Sequence, residues 1–213
     1  MRNMTISNLI LISLWANGRL HSLSIFLGFV PDFFWHRYVT HSTLPLWKVS
    51  VYVSPRGTTY LHLPQDKKDV SITYTPLSDA GSPQGLVKFD DLVEYYPSSA
   101  KPGSKPSTVA GTDHAIAVGR FKWRGNGLLF IVSSKWQVLG CNTSDAEGSH
   151  PWAVTFFEKT LFTPAGLDIY ARSVEGLPKP LLKEILEKIK AVGGDVAALS
   201  EKFFEVGRTE VTL

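Results

Sequence analysis

The run Val70-Ser71-Ile72-Thr73-Tyr74-Thr75 has the clearest strand pattern in the chain. Its apolar residues alternate with hydroxyl-bearing ones, and a period of two marks a strand with one apolar face. Working outward, β-branched and aromatic runs recur at a spacing of about 8 to 15 residues, with turn residues between them. This spacing predicts a sandwich or an up-and-down barrel, and no βαβ pattern indicates a parallel nucleotide-binding sheet. The predicted strands are 38–43, 47–53, 58–63, 70–75, 86–96, 116–123, 128–133, 135–141, 152–158 and 166–172.

Two of these strands flank a turn signal. Arg124-Gly125-Asn126-Gly127 contains an Asn-Gly pair, which favours a tight two-residue hairpin. We therefore expect strand 116–123 to pair directly with strand 128–133. The segment lacks the Gly-Lys-Ser/Thr ending of a phosphate-binding loop, so a turn is the better interpretation.

Near the C-terminus the spacing of apolar residues changes from two to three and four, which predicts a helix over 180–192. Pro180 suits the first helical turn, and Gly193-Gly194 supplies the positive φ that ends a helix. We expect a short second helix through Ser200 and then a short extended piece near Phe204. The residues that recur at three and four, as on one face of an amphipathic helix, are Leu181, Leu182, Ile185, Leu186, Ile189 and Val192.

Composition excludes some classes of function. The 213 residues are 44% hydrophobic and 12% aromatic, which suits a packed or ligand-holding interior. The net charge is +3 and no basic run exceeds Lys67-Lys68, so we expect no nucleic-acid partner. The single cysteine, Cys141, excludes an intrachain disulfide and a thiolate metal site. It favours a reducing, cytoplasmic compartment.

Residues 1–35 differ in composition from the rest. Residues 8–16 form a short apolar run, and a second apolar stretch covers 23–35. Three interpretations stay open for 1–35: a secretion signal, a weak membrane anchor, or a segment outside the folded domain. Membrane contact is expected only through 8–35, and the protein would be secreted or membrane-associated if this segment is a true signal or anchor. Residues 36–213 form the predicted domain.

Catalytic and metal motifs were sought among the six histidines and the acidic residues. The histidines show no His-Glu-x-x-His spacing and no clustering with Asp or Glu that predicts a metal site. Asp90 and Asp91 are neighbours on a predicted strand and should face apart. Asp113-His114 could place a base near the mouth of a barrel, although a loop or edge histidine is the simpler interpretation. We predict no catalytic residue, no metal and no cofactor.

The order of the pieces from residue 69 to the end resembles a lipocalin, within the calycin group. It is especially similar to fungal lipocalin-like proteins with a lipocalin/cytosolic fatty-acid-binding domain. The resemblance covers about two-thirds of the chain. It rests on Val70–Tyr74, Gly127–Phe130, Trp136–Gly140, Pro151–Val154 and Thr163–Arg172, followed by the helix.

The resemblance implies an eight-stranded antiparallel up-and-down β-barrel with a C-terminal helix packed on it and a cup for a small apolar ligand. It also implies that Arg172 closes the barrel base against a first-strand tryptophan. The family's Gly-x-Trp is missing here, because Phe33 stands two residues before Trp35. Tyr38 or Trp47 could substitute.

The segment 49–65 also departs from the family pattern, which passes quickly from the first strand to the strand holding Val70. Two hypotheses stay open: a β-hairpin insertion, or an unspliced intron in the gene model, since Lys48-Val49-Ser50 can be encoded by a splice-donor sequence. Sequencing of the transcript decides between them.

The predicted function is non-enzymatic binding or transport of a small hydrophobic molecule, with apolar burial as the source of affinity. The alternatives are a metabolite isomerase or cyclase using the same cavity, and an empty barrel acting as a protein-interaction module. A pair of titratable side chains converging inside the cavity would favour the enzyme. Oligomeric state is left open. The candidate ligand-contacting residues are Tyr74, Tyr95, Trp123, Phe130, Trp136, Trp152, Phe156 and Tyr170.

Overall fold

A computed structural model describes residues 36–53, 59–64, 66–77, 88–144 and 146–209, with the side chains of 49–53 and 59–64 excepted. The predicted N-terminal segment 1–35 lies outside these residues. The strands are β1 (Arg37–Ser42), β2 (Val49–Val53), β3 (Thr59–Pro64), β4 (Lys67–Leu77), β5 (Lys88–Pro97), β6 (Ser107–Ala117), β7 (Arg120–Gly125), β8 (Ser133–Asn142), β9 (Trp152–Phe157), β10 (Gly166–Ala171) and β11 (Phe204–Glu205). The helices are α1 (Lys179–Ala191) and α2 (Gly194–Ser200).

Eight of the strands form the predicted antiparallel barrel. The order β4-β5-β6-β7-β8-β9-β10 is a meander in which each strand pairs with the next along the chain. The first strand, β1, pairs with β10 on one side and with β4 on the other, and so closes the sheet. Closure leaves no free edge, which protects an all-β protein from pairing with other chains. The prediction of a closed barrel followed by a helix is confirmed.

The region 107–133 differs from the prediction. Strand 116–123 is wrong: β6 ends at Ala117, a turn occupies Val118 and Gly119, and β7 starts at Arg120. Gly119 has a φ of 65°, a backbone conformation that glycine adopts at little cost. The turn was missed because Val118 continues the apolar run.

The predicted Asn126-Gly127 hairpin and the strand 128–133 are also wrong. A 3-10 turn covers Gly127–Leu129, and the chain stays exposed through Ile131 before β8 begins at Ser133. Asn-Gly favours a tight hairpin locally, but β7 pairs instead with residues 133–137 of β8. The pairing within the barrel therefore outweighs the local turn preference.

Two apolar clusters lie on opposite faces of the sheet. The inner cluster fills the barrel, while the outer one lies between the sheet and the helices. On β10, Leu167 and Ile169 face the helices while Tyr170 faces inward, so this strand is buried on both sides. Ile185 and Ile189 of α1 are buried in the outer cluster and contribute about 1.5–3 kcal/mol each.

The C-terminal tail fills a gap between β1 and β4. These strands pair only through Arg37 and Tyr38 of β1. Farther along, β11 pairs with β1 instead, and Gly207 bridges to Lys68 of β4. The tail thus completes the wall where β1 and β4 separate.

The segment 49–65 contributes a separate hairpin. Strands β2 and β3 pair with each other as a two-stranded sheet that is not part of the barrel. This backbone arrangement is the one expected of a β-hairpin insertion, and the transcript test of the intron hypothesis is still required.

Candidate functional site

A cavity of ≈ 190 Å³ opens at one end of the barrel. In an up-and-down barrel, the connections after β1, β5, β7 and β9 lie at the same end. Residues from the connections after β1, β7 and β9 line the cavity. We call this end the mouth. The lining residues are Leu44, Leu46, Trp47, Ile72, Tyr74, Asp91, Val93, Trp123, Val132, Ser134, Trp136, Phe157, Thr160, Phe162, Thr163 and Asp168.

Stacked aromatic rings form one part of the wall. Trp136 is 3% exposed and stacks on Phe121 at a centroid distance of 4.5 Å. It also stacks on Tyr74 at 6.0 Å and on Phe157 at 6.1 Å. Such pairs fix ring orientations beyond what apolar burial alone would do, so the wall is largely preformed.

Trp123 depends on a close approach between two strands. A Cβ on Gly111 would lie 2.2 Å from the indole of Trp123. Glycine at 111 therefore lets this indole cover β6 and line the cavity. The sequence alone gives no signal for this contact, because Gly111 precedes no turn.

The buried carboxyl of Asp168 links β10 by hydrogen bonds to the end of β1 and to the segment that follows it. It is fully buried, and its Oδ1 accepts hydrogen bonds from Ser42 Oγ at 2.5 Å and from Trp47 Nε1 at 3.3 Å. Burial raises the pKa of Asp168 to about 7, although these donors favour the ionised form. The hydrogen bonds hold Trp47 at the mouth.

A second acidic group lies deeper in the barrel. Asp91 on β5 and Asp113 on β6 face inward and influence each other's ionisation, while Asp113 Oδ1 accepts a hydrogen bond from Trp136 Nε1 at 2.7 Å. Burial and the neighbouring Asp113 raise the pKa of Asp91 well above its usual range. Burial raises the pKa of Asp113 to about 7. We call Asp91 and Asp113 the carboxyl pair.

The alternation along β5 and β6 explains which acids are buried. Asp90 is exposed while Asp91 faces the cavity, as period two requires. On β6, Asp113 is buried and His114 is exposed. The titratable group of the Asp113-His114 dipeptide that faces inward is therefore the carboxyl.

Arg37 is the buried cation of the closed end. It is 1% exposed, and Tyr74, Cys141 and Tyr170 act electrostatically on it. Burial lowers the pKa of Arg37 and raises that of the Cys141 thiol to about 12. Cys141 therefore stays a neutral thiol at physiological pH.

A buried lysine lies on the mouth side of the inner cluster. Lys67 Nζ donates a hydrogen bond to the carbonyl of Leu46 at 2.6 Å and lies 4.6 Å from the ring centroid of Tyr95. Desolvation lowers the pKa of Lys67 to about 8. Beside this lysine, Tyr95 packs against the inner cluster without lining the cavity.

The other predicted ligand-contacting residues fall into four places. Tyr74, Trp123 and Trp136 line the cavity. Tyr170 is buried in the inner cluster beneath it, and Phe130 is 60% exposed on the loop after β7. Trp152 and Phe156 pack against the outer cluster, under the helices.

The separation on β9 follows from parity. Trp152, Val154 and Phe156 face the helices, so Ala153, Thr155 and Phe157 face inward. An amphipathic helix needs an apolar sheet face to cover, and that face was the one visible in the sequence. Phe157, which lines the cavity, was missed because it lies on the other face.

Of the two suggested partners of Arg172, Trp47 lies at the opposite end of the barrel, whereas Tyr38 pairs in register with Ala171, next to Arg172. Arg172 follows β10 at the end away from the mouth, beside Pro151 and Gly176. Trp47 lies at the mouth. That Arg172 closes the barrel stays a prediction, and its contacts there do not depend on Trp47.

Three comparisons place this geometry among known proteins. No protein-family model matches the chain, and no curated protein matches it. Among solved structures it is similar to lobster apocrustacyanin A1, with 12% identity and a TM-score of 0.51 over 88% of this chain and 85% of that one. Apocrustacyanin C1 gives 10% identity and a TM-score of 0.50 (88% and 85% covered), and apocrustacyanin C2 gives 12% and 0.50 (87% and 84%).

Crustacyanins are lipocalins, and the likeness extends over nearly the whole described barrel. The chain has the lipocalin fold. At this level of identity the likeness is one of fold, so the resemblance to fungal lipocalins and to fatty-acid-binding domains stays a prediction. Among the described residues, no helix is long and apolar enough to cross a membrane. No group of three His, Cys, Asp or Glu side chains in that part of the chain is arranged to hold a metal ion.

Proposed function

We propose that the lipocalin barrel binds a small, mainly apolar molecule in the cavity behind Trp47. The observation that carries this proposal is the cavity itself, which is apolar over most of its wall and open at the mouth. Burying apolar surface in a preformed cavity is favourable at about 25 cal/mol per Å². An interaction module with a filled interior would not need such a space.

The volume limits the occupant. Ligand sites in proteins usually enclose about 300–1,000 Å³, and this cavity of ≈ 190 Å³ is smaller. A single ring system with a short chain fits that space better than a long acyl chain or a haem. Exposed apolar side chains at the mouth, including Phe162, could cover a part of the ligand that extends outward.

Native mass spectrometry of the protein purified from its own host tests this proposal. We expect a non-covalent small-molecule adduct on the wild type, and its loss in Val93→Trp, where an indole would occupy the cavity. Leu92→Trp is the matched control, because Leu92 lies on the same strand and faces away from the cavity. An adduct equally abundant in both variants, or absent from all three proteins, would contradict the proposal.

The carboxyl pair supports a second candidate, a metabolite isomerase or cyclase. Two carboxyls that share a proton can supply one acid and one base on the same apolar wall. The same mass measurement covers this case. A released molecule whose structure changes on incubation with the wild type, but not with Asp113→Asn, would favour the enzyme over the carrier.

A further inference from the structure

We propose that the ligand of this cavity is an organic cation, an amine with an aromatic or short alkyl body whose ammonium group lies against Asp91 and Asp113. This inference rests on the proposed function and adds the chemical class of the ligand. Its geometric basis is the carboxyl pair, the rings beside it and the space in front of Asp91.

The two carboxyls are diagonal neighbours on one face of the sheet. Asp91 pairs in register with Gly111, and Asp113 is two residues further along β6. Side chains in such diagonal positions can meet. Asp91 is 8% exposed and lines the cavity, and Asp113 is fully buried behind it. A group that enters the cavity therefore reaches Asp91 first.

The hydrogen bonds of the pair are incomplete. Asp113 Oδ1 accepts from Trp136 Nε1, and the two carboxyls are hydrogen-bonded to each other. Asp91 Oδ1 and Asp113 Oδ2 are still buried without a donor among the described residues. Buried carboxyl oxygens usually have such donors, because desolvation is costly when they do not. A proton shared by the two carboxyls, or an ammonium group that donates to both, would meet this need.

Charge around the pair favours the ammonium. The groups that face it are Tyr74 on β4 and Tyr170 on β10, both neutral at physiological pH, because burial raises their pKa values. Arg37, at the closed end, acts electrostatically on both tyrosines. The side chain that donates to Asp113, the indole of Trp136, is neutral, so a ligand ammonium would bring a positive charge to the cavity side of the pair at Asp91.

The rings beside the pair suit a cation and its apolar body. Trp136 is bonded to Asp113 through its indole nitrogen and stacks on Tyr74 and Phe157. The remaining wall, including Ile72 and Val93, is apolar. Carboxylates beneath an aromatic wall form a site for an amine rather than for a fatty acid.

Isothermal titration with three probes of similar shape tests this assignment. The probes are 2-phenylethylamine, 2-phenylethanol and 3-phenylpropionate, added to the full-length protein near neutral pH. We expect the amine to bind at least about tenfold more tightly than the alcohol, and the carboxylate to bind most weakly. An amine that binds no more tightly than the alcohol would overturn the assignment and leave the proposed function standing. If none of the three probes binds, both fail.

Variants separate the charge from the fold. Asp91→Asn and Asp113→Asn keep side-chain size, and the new amide oxygen at position 113 can still accept the bond from Trp136. We expect each variant to bind the amine about 30-fold or more weakly than the wild type does, while its affinity for the alcohol stays nearly unchanged. Asp90→Asn, on the outer face, is the matched control and should change neither. An equal loss of amine and alcohol in Asp91→Asn would mean that Asp91 only supports the wall, which would contradict the inference.

Discussion

At the scale of single residues, the unusual feature of this barrel is how many carboxyls it buries. Asp91, Asp113 and Asp168 are all less than a tenth exposed, within an interior otherwise dominated by aromatic rings. Buried charge is costly unless it is paired. These acids therefore hold their protons to higher pH in the folded chain than in the unfolded one.

The consequence for stability has a definite sign. A carboxyl whose pKa is raised by folding binds more protons in the folded state, so it stabilises at low pH, and that stability is lost as pH rises. For Asp168 the window runs from its ordinary value of 3.8 to about 7. Asp91 and Asp113 act in the same direction. Desolvation lowers the pKa of His41, which opposes them near its ordinary value of 6.5.

We predict that Asp168→Asn flattens the dependence of stability on pH between about 4 and 7. An amide at 168 cannot ionise, but it can still accept from Ser42 and Trp47. The difference in free energy of unfolding between pH 5 and pH 8, measured by urea titration, should shrink by a few kcal/mol at most. Asp90→Asn, at an exposed site, should leave it unchanged. A wild-type stability that rises steadily through this window would contradict the prediction.

At the scale of elements, the described tail is attached to β4 through one aspartate. Asp69 has a φ of 51°, and its carboxylate accepts hydrogen bonds from the Thr209 backbone N–H at 2.7 Å and from Thr209 Oγ1 at 2.6 Å. The N–H of Asp69 donates to the Gly207 carbonyl, and that of Val206 donates to the Thr40 carbonyl. These bonds hold the tail in the gap between β1 and β4.

Asp69→Gly should therefore loosen the tail without straining the backbone, because glycine accepts the positive φ. We expect a loss of about 1–2 kcal/mol of stability and faster hydrogen exchange at the Val206 amide. Asp69→Asn tolerates the same φ and keeps one acceptor, so its effect should be smaller. If hydrogen exchange at the Val206 amide is unchanged in the glycine variant, the prediction is wrong, and the buried side chain of Val206 holds the tail without the Asp69 carboxylate.

The element scale also shows how far the sequence could be interpreted. The amphipathic helix α1 was predicted to within one residue at each end. Strand β4 was predicted as 70–75 from its polar face, and it extends three residues before and two residues after that range. Most of β6, from Ser107 to Ala115, was not predicted, because Thr108 to Thr112 carries small and polar residues around Gly111 and has no apolar alternation. The β7–β8 connection was misassigned because its exposed apolar run from Leu128 to Ile131 imitates a strand.

The site was harder to predict than the fold for a related reason. Alternation separates two faces of a strand but does not say which one is inward, and here both faces are apolar on β9 and β10. The predicted ligand contacts Trp152 and Phe156 belong to the outer face. The sequence shows that Asp91 and Asp113 are acidic residues on predicted or neighbouring strand segments. That their carboxyls converge depends on the register between β5 and β6, which the alternation along a single strand does not give.

At the scale of the whole molecule, the strands, the helices and the C-terminal tail together enclose the cavity. The meander and the C-terminal tail close the barrel, the helices cover its outer face, and the inner face leaves an aromatic cavity with a carboxyl pair at its wall. The outer cluster provides stability away from the cavity. The cavity can therefore keep buried acids and empty space, which a small core without that support would not tolerate.

Fluorescence titration with 2-methoxynaphthalene, an uncharged probe with one fused ring system and a short substituent, tests the central claim that this cavity is a binding site. We expect a saturable fluorescence change with the wild type and with Leu92→Trp, and at least about a tenfold weaker affinity with Val93→Trp, because the new indole would fill the space that the probe needs. Thermal unfolding of each variant controls for folding. Equal affinity of folded Val93→Trp and Leu92→Trp, or no saturable binding to the wild type, would contradict the account.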